Sequence, residues 1–142
     1  MKKYLLVSLS IIGGLLSSLA CTGWCPGLIL LIAFVPFLYI ENYLYEYRHR
    51  YSANAYFVYL LPGFFIFTIL TLGWIRAASI IAAISVITGV SFLMAFTLWS
   101  AHIIRLKAGN INGFIAMISL WLTYEYVNLH SDLLSPWMNL GN

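Results

Sequence analysis

The chain has 142 residues and a net charge of +3, and 63% of its residues are hydrophobic whereas only 8% are charged. Because an ordinary soluble domain carries about 25% charged residues, this composition excludes a water-soluble fold and indicates an integral membrane protein. The positive charge comes from scattered Lys and Arg residues rather than from a basic face, so the sequence predicts no nucleic-acid partner.

Apolar runs predict five membrane-spanning helices. A span needs about 20 mostly apolar residues to cross a hydrocarbon core of about 30 Å. The uncharged stretch 4–40 is too long for one span, and the Gly- and Pro-containing cluster 23–27 breaks it. Connectors 46–52 and 105–110 and the charge of Arg76 separate the later runs. The sequence therefore predicts one all-α polytopic membrane domain without a soluble domain, with spans at 4–20, 27–45, 56–74, 77–104 and 111–127.

The basic residues predict the orientation of this bundle, because Lys and Arg are retained in short cytoplasmic loops. With the N-terminus inside, only Arg76 falls on the outer side. The C-terminus is then outside, and Trp24, Trp74 and the tail 128–142 lie at the outer face, where Trp suits an interfacial aromatic belt. The basic residues placed in the cytoplasm are Lys2, Lys3, Arg48, Arg50, Arg105 and Lys107.

The first 21 residues resemble a lipoprotein signal that ends at Cys21, but Ser18 stands where such a signal usually has Leu. We therefore expect an uncleaved first helix. Cys21 and Cys25 share one outer connector, where an oxidising compartment could join them in a disulfide. The sequence predicts no metal and no cofactor, because it has no phosphate-binding loop and its three histidines lie at the ends of different spans: His49, His102 and His130.

Glu125 lies in the fifth span, about 21 Å along the helix from its start. A carboxylate at this depth is costly unless it faces protein, water or a lipid headgroup. Helical spacing places Trp121, Tyr124, Glu125 and Asn128 on one face. Two interpretations stay open: a polar stripe for a headgroup or an interior partner, and an interfacial Glu that reaches water beside ordinary belt aromatics.

The segment Trp121–Tyr126, followed by Ser-Pro-Trp-Met-Asn-Leu-Gly-Asn at 135–142, resembles the "W-x-x-x-E … P-W-x-x-x-G" block of bacterial apolipoprotein N-acyltransferases. Residues 32–38 resemble the second helix of that family, and residues 72–75 resemble its Trp-containing turn after the third helix. The resemblance covers the whole chain but only the N-terminal membrane part of the family. Asn128 stands where many members carry Arg.

This resemblance implies a multi-pass enzyme of the bacterial inner membrane, which moves an acyl chain from a phospholipid to the N-terminal diacylglyceryl-cysteine of lipoproteins. Members carry a Glu-Lys-Cys triad in a nitrilase-like outer domain. Because this sequence does not contain that domain, we expect a truncated or split product that is inactive alone. Whether the missing part is lost or supplied by a separate chain stays open. We expect Glu41, on the cytoplasmic side, to be dispensable for transfer.

The resemblance assigns no catalytic residue to this chain. It implies a mouth for phospholipid and lipoprotein at the outer face, lined by Trp74, Trp121, Glu125, Pro136 and Trp137. The competing hypotheses are a small polytopic transporter or channel subunit, which would favour charged residues in mid-membrane, and a membrane assembly protein without chemistry.

Overall fold

The computed structural model describes residues 3–21 and 28–130, and these residues form α-helices and one 3₁₀-helix without any strand. The all-α prediction is therefore confirmed, with five α-helices in this part of the chain. They are α1 (Lys3–Cys21), α2 (Leu28–Glu46), α3 (Ala55–Leu72), α4 (Ile80–Ala108) and α5 (Asn110–His130), and the 3₁₀-helix Gly73–Ala77 follows α3.

Within residues 3–21 and 28–130, three helical segments are each long and apolar enough to cross a membrane: Lys3–Cys21, Ala55–Ala77 and Ile80–Ala108. Large apolar side chains cover the outside of the bundle, and Ile81 and Ile111 are 79% and 77% exposed. Such a surface suits hydrocarbon rather than water. The five-span arrangement and its orientation stay predictions.

Successive helices run in opposite directions because their connections are short. α1 packs against α2 and α3, α3 packs against α4, and α4 packs against α5. One end of the bundle, the predicted outer end, therefore holds the C-termini of α1, α3 and α5. The other, the predicted cytoplasmic end, holds the C-termini of α2 and α4.

Small residues let α1 and α3 approach closely, as is common between membrane helices. A Cβ added at Gly14 would lie 2.8 Å from the carbonyl carbon of Gly63 and would overlap its oxygen. The Ser10 Oγ accepts a hydrogen bond from the Gly63 N–H at 2.9 Å and donates one to the Leu60 carbonyl at 3.3 Å. Ser10 thus bonds to backbone groups on both sides of Pro62, which lies inside α3 and would otherwise weaken the helix there.

We expect single cysteines at Ser52 and Ala78, in a variant without Cys21 and Cys25, to be labelled from opposite sides of the membrane. Both positions are exposed and lie outside the α-helices, at opposite ends of α3. A membrane-impermeant maleimide added to intact cells should label position 78, and position 52 only after the membrane is opened. The reverse pattern would contradict the orientation that the basic residues predict.

Candidate functional site

The inner face of α5 carries the residues that the sequence groups together. Trp121, Tyr124 and Asn128 are buried, with 8%, 6% and 2% of their surface exposed, and Glu125 is half-buried beside them. Their separations of three, four and seven residues match successive turns of a helix. This face therefore points into the bundle rather than toward hydrocarbon.

Trp121 connects this face of α5 to α2. Its indole Nε1 donates a hydrogen bond to the Glu125 Oε1 at 2.9 Å. The ring of Phe34 meets it edge-on, with centroids 4.7 Å apart, and the Tyr124 ring lies 5.4 Å away. The Glu125 carboxylate thus has a donor inside the bundle, and the aromatic rings form an apolar wall beside it.

Of the other predicted mouth residues, only Trp74 lies among the described residues. Trp74 lies in the 3₁₀-helix Gly73–Ala77 and is 63% exposed, which agrees with the expected Trp-containing turn after the third helix. Pro136 and Trp137 lie outside the described residues, as does Cys25. Cys21 ends α1 and is half-buried.

A second polar group, which the sequence did not predict, lies at the opposite end of the bundle. Glu41 on α2 and His102 and Arg105 on α4 are buried, with 8%, 3% and 5% of their surface exposed. The His102 Nδ1 lies 2.7 Å from the Glu41 Oε1, and the Arg105 Nη1 bonds to the Glu41 Oε2. We call these three residues the ion cluster.

Neutral groups complete the coordination of the Arg105 guanidinium. Its Nη2 donates to the Asn42 Oδ1 and its Nε donates to the Asn110 Oδ1, both at 3.0 Å. The ring of Tyr45 lies 4.0 Å from its central carbon, within range of a cation–π contact. Each guanidinium nitrogen therefore has a partner, and one carboxylate balances its charge, as a buried ion requires.

The prediction that Arg105 lies in a connector is wrong, whereas its cytoplasmic side stays a prediction. α4 continues to Ala108, and Arg105 is buried within it. Glu41 is likewise not a neutral surface position, because it holds both partners of the ion cluster. One feature of the sequence could have suggested the pair: Glu41 and Arg105 carry opposite charges near the predicted cytoplasmic ends of the second and fourth spans, where each would be costly if buried alone.

The described residues thus define a class: a helical membrane domain whose last helix turns a polar and aromatic face toward its neighbours. The family model for the apolipoprotein N-acyltransferase N-terminal domain matches residues 13–142. The chain therefore belongs to this family, and the resemblance noted in the sequence is confirmed. No curated protein and no solved structure matches the chain.

Proposed function

We propose that this chain is the membrane domain of an apolipoprotein N-acyltransferase in the bacterial inner membrane. In this proposal it holds a phospholipid and the N-terminus of a lipoprotein while an acyl chain moves from the lipid to the amino group of the diacylglyceryl-cysteine. The observation that carries the proposal is the family match over residues 13–142, which includes the whole inner face of α5.

The chemistry itself belongs, in this proposal, to a nitrilase-like catalytic domain that works with residues 1–142, in the same polypeptide or a separate one. A triad of Glu, Lys and Cys there would carry the acyl chain as a thioester, because an activated thiolate is an effective acyl acceptor and donor. The membrane domain contributes binding and orientation, which convert a two-molecule encounter into a reaction within one complex. No residue of this chain is proposed to be catalytic.

Glu125 is the residue with the clearest role at the proposed mouth. A half-buried carboxylate beside an aromatic wall suits an amino or ammonium group, which can donate to the carboxylate while its apolar neighbours pack on the rings. Both the accepting cysteine and an amine-containing phospholipid headgroup present such a group. Trp74, Pro136 and Trp137 would line the same outer mouth.

We expect Glu125→Ala to lower N-acylation by about ten- to a hundredfold, because a hydrogen bond to a charged group contributes about 1.5–3 kcal/mol. The chain would be expressed with the catalytic domain of a family member, in cells depleted of their own acyltransferase. Mass spectrometry of lipoprotein N-termini would give the fraction that carries three acyl chains.

The control for this test is Glu46→Ala. Glu46 is exposed and accepts one hydrogen bond, from the Asn42 Nδ2 at 3.0 Å, at the predicted cytoplasmic end. Glu41 is unsuitable as a control because it is buried in the ion cluster. Equal activity losses from Glu125→Ala and Glu46→Ala would contradict a specific role of Glu125. Wild-type activity in both variants would show that Glu125 does not contribute to substrate binding at the mouth.

A further inference from the structure

The ion cluster joins three helices rather than two. Glu41 lies on α2, and His102 and Arg105 lie on α4. The Arg105 Nε reaches the side chain of Asn110, the first residue of α5. Removing Arg105 would therefore leave the Glu41 carboxylate with one partner fewer and release the start of α5.

The first turn of α5 packs closely against the side chain of Arg105. A Cβ added at Gly113 would overlap the side-chain carbons of Arg105. The centre of the Phe114 ring lies 5.1 Å from the guanidinium carbon. The single connecting residue Gly109, the close contact at Gly113 and the bond to Asn110 together fix α5 on α4, so these two helices form one hairpin.

A direct contact between α2 and α5, from Phe34 to Trp121, lies about two helical turns from the ion cluster. On α2, Phe34 precedes Glu41 by seven residues, and on α5 Trp121 follows Phe114 by seven. Seven residues span about 10.5 Å of helix. Phe114 lies beside Arg105, and α2 and α5 run in opposite directions. The same spacing of seven residues therefore separates the ion cluster from the Phe34–Trp121 contact along both helices.

We propose that Arg105 is a positioning residue, which pairs with Glu41 to hold the α4–α5 hairpin in a single register against α2 and thereby sets where Trp121 and Glu125 lie relative to α2. Buried charged groups specify one register because a shift of one turn would leave them unpaired in a medium of low dielectric constant. Apolar contacts tolerate such a shift much better. The effect on acyl transfer rests on the proposed function, but the effect on register does not.

The register can be measured with a benzophenone analogue of phenylalanine at position 34. Illumination should cross-link it to the peptide that contains Trp121, which mass spectrometry identifies. In the Arg105→Ala variant we expect the yield at Trp121 to fall by about tenfold, a size typical of coupled networks. The matched control is Lys107→Ala on the same helix, because Lys107 is exposed and should leave the yield unchanged.

A double variant keeps the test decisive if Arg105→Ala fails to fold. Glu41→Gln with Arg105→Gln removes both charges, so no unpaired ion is buried. We expect this variant to fold and to spread its cross-links over neighbouring turns of α5. Cross-links that stay concentrated on Trp121, in either variant, would overturn the proposal.

Activity provides a separate readout in the presence of the catalytic domain. An active wild-type chain whose double variant loses both the Trp121 cross-link and transfer supports the positioning role. If the wild-type chain shows no transfer at all, the proposed function fails, but the cross-link still reports on the register. If transfer survives while the Trp121 cross-link is lost, the link between register and activity is overturned.

Discussion

Replacing Gly14 by Ala is expected to push α1 away from α3 and to destabilise the bundle by about 3 kcal/mol. The added methyl group would overlap the backbone carbonyl of Gly63, and backbone cannot move aside as the end of a flexible side chain can. Overpacking of this kind costs about 1–3 kcal/mol or more, which corresponds to a melting temperature lower by roughly 10 °C. Size-exclusion chromatography of detergent-solubilised protein after heating would measure the shift.

Gly89→Ala is the matched control for that prediction. Gly89 lies within α4, and a Cβ added there would meet no atom within 4 Å. Because alanine also favours helix more than glycine does, this variant should be as stable as the wild type or slightly more stable. Equal losses of stability in both variants would show that the α1–α3 contact is not as close as the structure has it.

Residues 1–142 expressed without a catalytic domain are expected to produce no N-acylated lipoprotein. Acyl transfer through a covalent intermediate needs a nucleophile, a base within hydrogen-bond reach and donors for the oxyanion. Cys21 ends α1, and neither it nor Cys25 resembles the nucleophile of the family. Loss of a complete triad lowers an enzyme's rate by roughly a million-fold.

Lipoproteins from cells depleted of their own acyltransferase would test this expectation. Mass spectrometry should find N-termini with two acyl chains when the 142-residue chain is expressed alone. Expression of an intact family member in the same cells is the control and should restore the third chain. Triacylated termini in the presence of residues 1–142 alone would show that the membrane domain has chemistry of its own, to be sought at Glu125 and Cys25.

The residues of the candidate mouth illustrate what local sequence can predict. Helical spacing alone places Trp121, Tyr124 and Asn128 on one face of α5, whereas the burial of these residues shows that the face turns inward. The bond from Trp121 to Glu125 also joins residues only four positions apart. The contact with Phe34 does not follow from spacing, since it depends on where α2 lies relative to α5.

The sequence by itself determined the all-helical class, through its lack of charge and its long apolar runs, and the family, through the motif around Trp121 and Glu125. Only the tertiary structure showed that Glu41 and Arg105, which are 64 positions apart, form a buried ion pair. A basic residue near a helix end has the same local pattern whether it meets water or a buried carboxylate. Helix packing distinguishes the two, because a charge removed from water is stable only where another helix supplies its partner.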